Sequence, residues 1–137
     1  MTSLNSLLGT RYEDASFHDA ELLSSTIDWE SGTASFAFDI PYGSAESSGQ
    51  SNYQRGTLTF AGLCFYLVEP ALLDAAARAR GSLWITAEGS LPDPQVAISA
   101  YLPPNLPAGA LAYYLYASNT NSFIIVAATS ASFTWGA

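Results

Sequence analysis

Residues 33–40 read TASFAFDI, in which Ala34, Phe36, Phe38 and Ile40 alternate without a break with smaller or polar neighbours. Successive side chains leave a strand on opposite faces, so this period gathers four apolar side chains on one face. On a helix the same residues would scatter around the cylinder. The period recurs along the chain. Leu58 and Phe60 share a face in GTLTF (56–60), Leu83, Ile85 and Ala87 in SLWITAEG, and Val96, Ile98, Ala100 and Leu102 in QVAISAYL. Leu111, Tyr113 and Leu115 do so in LAYYLYAS, and Phe133 and Trp135 in ASFTW. Over residues 20–29, Leu23, Ser25, Ile27 and Trp29 fall on one face, with Leu22, Ser24, Thr26 and Asp28 on the other. LCFYLV (63–68) and SFIIVAA (122–128) are apolar on both faces, as strands covered on both sides are.

Turn chemistry separates these runs. ESG (30–32) joins the first two as a hairpin, and NTN (119–121) suits a tight turn because Asn tolerates left-handed backbone. Pro41 should end its strand, since it cannot donate to a ladder. The polar stretch 41–55, PYGSAESSGQSNYQR, then reads as a long surface loop. Ala61-Gly62 marks a bend. PALLDAAARARG (70–81) is the one helix, with proline at its start, alanines inside and glycine at its end. The expected architecture is a single all-β domain over residues 1–137. It has about eight or nine antiparallel strands and one short helix, arranged as a sandwich or as a strongly curved, half-closed barrel. A chain of 137 residues can bury its core without staples. The lone Cys64, inside an apolar run, is expected to be a buried, inert thiol.

Composition excludes several chemistries. The chain has a net charge of −8, with four arginines as its only Lys or Arg residues. Such a surface repels phosphate backbones, so no nucleic-acid partner is expected, while a basic protein would be attracted. The absence of lysine removes Schiff-base, pyridoxal-phosphate and P-loop chemistry. One histidine and one cysteine are too few for a zinc site of the usual kind, and no calcium-loop spacing occurs. No cofactor and no metal are therefore expected. No apolar run reaches membrane-span length and nothing at the start reads as a secretory signal, so the expectation is a cytoplasmic protein without a membrane partner.

Two groups of residues remain as candidates. SFHDAELL (16–23) holds the single histidine beside Asp19 and near Glu21, with Glu13, Asp14 and Asp28 close in sequence. One reading makes His18 and Asp19 a polar clasp, in which their side chains satisfy backbone groups where the chain enters a strand. The alternative makes His18 a general base in a small hydrolase or isomerase, oriented by Asp19 or Glu21. A neighbouring carboxylate favours the charged imidazole, so the clasp would respond to pH. The second group is aromatic. Trp84, Tyr101, Tyr114 and Tyr116 fall opposite the inferred core faces, where they would form a binding strip or pack as cross-strand pairs beneath the helix or a loop.

Three stretches carry a resemblance. FHDAELLSSTIDWESGTASFAF resembles the opening of small bacterial β-domain proteins that begin with His-Asp-x-x-Leu and run into a hairpin. GTLTFAGLCFYLVEP and NSFIIVAATSASFTW are similar to later strands of that family, and Phe17, His18, Asp19 and Leu22 carry its distinctive part. The family is largely uncharacterised, and some members resemble immunity proteins of bacterial toxin systems. The resemblance implies a binding role and transfers no catalytic residue. With no catalytic constellation in the sequence, a net charge of −8 and tyrosines off the core faces, the expectation is a non-enzymatic binding protein, in its most concrete form an immunity-type protein that neutralises a basic protein partner. A structural module that pairs with a second copy of itself is the remaining alternative.

Overall fold

The computed structural model describes residues 3–43, 52–69, 82–93, 95–96, 100 and 102–136. The expected helix at 70–81 lies outside them. Six strands form: β1 (Ala20–Asp28), β2 (Thr33–Tyr42), β3 (Asn52–Glu69), β4 (Leu83–Leu91), β5 (Leu111–Ala117) and β6 (Ser122–Trp135). All pair antiparallel in one sheet ordered β1-β2-β3-β6-β5-β4, and β4 returns to β1, closing a ring. The expected all-β class holds, with fewer strands than eight or nine.

The difference has a physical cause. GTLTF and LCFYLV are halves of β3, while SFIIVAA and ASFTW are halves of β6. In β3 the core side chains run Leu58, Phe60, then Leu63, Tyr66 and Val68. In β6 they run Ile124, Val126, Ala128, then Ala131, Phe133 and Trp135. β3 thus steps by three residues twice and β6 once, and the first β3 step faces the β6 step, because Phe60 pairs with Ala131 and Leu63 with Ala128. The phase of the alternation breaks although the pairing does not. Gly62 makes the step possible: its φ is +66°, and a Cβ there would collide with the Thr129 hydroxyl. The remaining expected strand, QVAISAYL, falls partly outside the described residues. Residues 97–99 and 101 lie outside the described set, and Gln95, Val96, Ala100 and Leu102 are not in a strand.

Other bulges reassign faces. In β1 the register shifts between Leu22 and Ser24, so Leu22 is buried with Ala20 while Leu23 is only half-buried. In β4 it shifts between Ile85 and Ala87, which puts Ala87 on the face opposite Ile85. In β3 it shifts between Leu63 and Phe65, leaving Cys64 as the extra residue. Cys64 is consequently exposed rather than buried, its thiol donating to the Ala127 carbonyl at 3.3 Å. LCFYLV is accordingly half-buried and not fully covered. Pro41 does not end β2 either. The β1 register reaches only to Asp39, so Pro41 pairs with Tyr53 on an edge that needs no proline donor. The expected 41–55 loop shrinks accordingly, since Tyr42 still pairs with Asn52.

The interior is filled by Phe17, Ala34, Phe36, Phe38, Ile40, Leu58, Phe60, Ile85, Leu115 and Ile124, all 2 % exposed or less. A 3-10 turn, Leu4–Leu8, closes one end of the ring. Leu4 and Leu8 enter the core, the Leu4 amide donates to Glu88 Oε2 at 3.2 Å, and Trp135 Nε1 donates to the Leu8 carbonyl at 3.0 Å. On the outer face Leu91, Ala112, Ile125 and Ala127 form a second apolar cluster covered by Val96, Leu102 and Leu106. Covered on both sides, β6 over 122–128 is the central strand its composition implies.

Candidate functional site

The site grows from the FHDA stretch. The Phe17 side chain enters the core against Phe38 and Phe133, with ring centroids 5.1 and 5.9 Å apart. Burying Phe17 turns His18 outward. Asp19 then takes a left-handed φ of +70°, which Asp tolerates better than most residues, and redirects the chain into β1. Two local bonds support this corner. The His18 amide donates to Ser16 Oγ at 3.0 Å, and the Phe17 amide donates to Asn5 Oδ1 at 2.9 Å.

His18 and Asp19 both bond to β4. The β4 bulge leaves Thr86 out of the ladder with β5, and the Thr86 carbonyl accepts from His18 Nδ1 at 2.7 Å. The Asp19 amide donates to the Ile85 carbonyl at 2.7 Å, and Trp84 Nε1 donates to Asp19 Oδ1 at 3.2 Å. The imidazole is 65 % exposed, and its Nε2 lies 3.9 Å from Asp19 Oδ2, beyond hydrogen-bond range.

His18, Asp19 and Trp84 line an open cleft of about 620 Å³ with Asp14, Ser16, Glu21, Pro41, Tyr42, Gly43 and Tyr53. Glu21 pairs across the sheet with Asp39 on one side and Trp84 on the other. The 12–16 segment is held against the end of β2, with the Ser16 amide on the Pro41 carbonyl and the Gly43 amide on the Glu13 carbonyl. That places Asp14, whose φ is +57°, on the rim. Tyr42 is braced by Tyr12, which in turn packs at a tilt against Trp135, with ring centroids 4.8 and 4.7 Å apart. Arg55 is bonded to Asp39, Nε to Oδ1 at 2.6 Å.

The structure therefore gathers His18, Asp19 and Glu21 in one concavity, adds Asp14 to them, and leaves Asp28 at the far end of β1. Sequence reasoning missed Tyr42 and Tyr53, which had been placed in a loop. The signal available was the alternation through Pro41, hidden by the rule that proline ends a strand. The aromatic strip divides. Trp84, 48 % exposed, belongs to the cleft. Tyr114 packs in the outer apolar cluster, where burial raises its pKa first, with Asp93 and Glu88 adding repulsion. Tyr116 packs at a tilt against Phe123, with ring centroids 4.8 Å apart, and donates to Asn121 Oδ1 at 2.6 Å. Tyr101 lies outside the described residues.

Among the described residues no group of His, Cys, Asp and Glu is arranged to hold a metal, and no helix is long and apolar enough to cross a membrane. No family model and no curated protein matches the chain. A solved structure of an uncharacterised protein from Neisseria gonorrhoeae is similar in fold, with a TM-score of 0.50 and 12 % identity. The match covers 88 % of this chain and 94 % of that one.

Proposed function

We infer that this is a non-enzymatic binding protein of the cytoplasm whose cleft receives a basic segment of a protein partner. The observation that carries the reading is the convergence of Asp14, Asp19 and Glu21 with the exposed Trp84 and Tyr53 on one concave surface. Carboxylates steer a cationic partner toward the site, and aromatic rings supply contact area once it arrives. The net charge of −8 acts in the same direction. Neutralisation of a basic toxin is the concrete form suggested by the resemblance to immunity-type β-domain proteins. The test is calorimetric titration with the purified basic product of the adjacent gene, repeated at rising salt. Binding should weaken as salt rises and should be lost in Trp84→Ala. An affinity unmoved by salt, or an absence of binding at low salt, overturns the reading.

One observation favours a second reading. His18 is pinned through Nδ1 and presents Nε2 to a concavity that holds other ionisable groups, as a general base would. Esterase or isomerase turnover that disappears in His18→Gln would establish it.

A further inference from the structure

The chemistry of the cleft selects among cations, an inference that rests on the binding reading above. A carbonyl oxygen only accepts, so the contact with Thr86 keeps the proton of the neutral imidazole on Nδ1. Nε2 then offers a lone pair to the cleft. Asp19 Oδ1 is taken by Trp84 Nε1, which leaves Oδ2 free to accept. Asp14 and Glu21 add two further carboxylates, and the hydroxyls of Ser16, Tyr42 and Tyr53 can serve either way. Among the described residues, none that lines the cleft carries a fixed positive charge. The occupant must bring the charge and donors for the carboxylates.

The walls add a second requirement. Trp84 and Tyr53 are 48 % and 44 % exposed, and the Asp19 bond holds the indole by its nitrogen edge, so its ring faces remain available. An ammonium group has three donors and cannot lie flat on a ring. A guanidinium is planar, carries five donors in a fixed fork, stacks on aromatic faces and bonds carboxylates in pairs. The volume, about 620 Å³, accommodates one such side chain with its flanking backbone.

We propose that the cleft is a guanidinium site, occupied by an arginine side chain of the partner that lies against Trp84 and is bonded by Asp19 and Glu21, with His18 Nε2 as a further acceptor.

The test titrates the full chain with N-acetyl-arginine amide, N-acetyl-lysine amide and the neutral N-acetyl-citrulline amide, following the tryptophan indole N–H resonances. The arginine amide should move the Trp84 signal and leave that of Trp29, on the β1–β2 turn outside the cleft, in place. It should bind at least tenfold more tightly than the citrulline amide and several-fold more tightly than the lysine amide. Asp19→Asn and Glu21→Gln should each weaken it several-fold, the second guarding against a folding defect in the first. Equal binding of the arginine and citrulline amides, or preference for lysine, overturns the proposal. If the basic protein binds while the arginine amide leaves Trp84 unmoved, the guanidinium assignment fails and the binding reading stands. If the amide binds and the protein does not, the assignment stands and the binding reading fails.

Discussion

At the scale of single residues, carboxylates with similar surroundings in sequence do different work. Asp19 occupies a left-handed corner and orients Trp84, whereas Asp28 organises a turn. Asp28 Oδ1 accepts from the amides of Glu30 and Ser31 at 3.0 and 3.2 Å. The Ser31 amide, followed by the Ser31 hydroxyl and the Glu30 amide, holds its carboxyl below the ordinary aspartate range, with desolvation opposing. The folded-state value is depressed, so the stabilisation is complete above the ordinary aspartate value of about 3.9 and is lost as pH falls through the lower folded-state value. Asp28→Asn keeps an acceptor for the turn but has no charge to titrate. Its urea midpoint should lie below the parent's near neutrality, where the charged carboxylate's stabilisation is complete, and should fall less steeply below about pH 4, so that the two converge in acid. Parallel acid limbs for the two proteins would show that the turn does not hold the carboxylate. The residues of the FHDA corner were legible as polar groups at a strand entrance. Their partners were not, because Thr86 and Trp84 meet them only across the sheet.

At the scale of elements, the facing steps at Gly62 and Thr129 let two long strands serve both halves of the ring. Gly62→Ala meets two separate penalties. A left-handed alanine costs roughly 1–2 kcal/mol, and the new methyl collides with Thr129, whose hydroxyl donates to the Ala61 carbonyl at 3.1 Å. Adding Thr129→Ala to Gly62→Ala should recover the collision and leave the backbone penalty, which denaturation of the four-protein cycle measures. Additive losses would mean that the two positions do not touch. The same steps explain why β3 and β6 read as two strands each. Alternation locates a strand by its phase, and a three-residue step resets the phase without ending the strand. Bulges at Leu22/Ser24 and Ile85/Ala87 likewise moved Leu23 and Ala87 off the faces their spacing implied.

At the scale of the whole molecule, the ring is stoppered by its own first turn, which binds β4 through Glu88 and β6 through Trp135. Leu8, 2 % exposed, is part of the interior although five strands separate it from Trp135 in the chain. Leu8→Ala should cost about 2–5 kcal/mol in urea denaturation, as for a core leucine, where an ornamental terminus would cost almost nothing. The sequence by itself determined that the chain is an antiparallel β protein and which side chains of β2 are buried, because side-chain period is a local property. Tertiary structure alone decided the number of strands, the exposure of Cys64 and the assembly of the cleft. Each depends on register between strands distant in the chain, and a bulge of one residue shifts that register while leaving the composition of either strand unchanged.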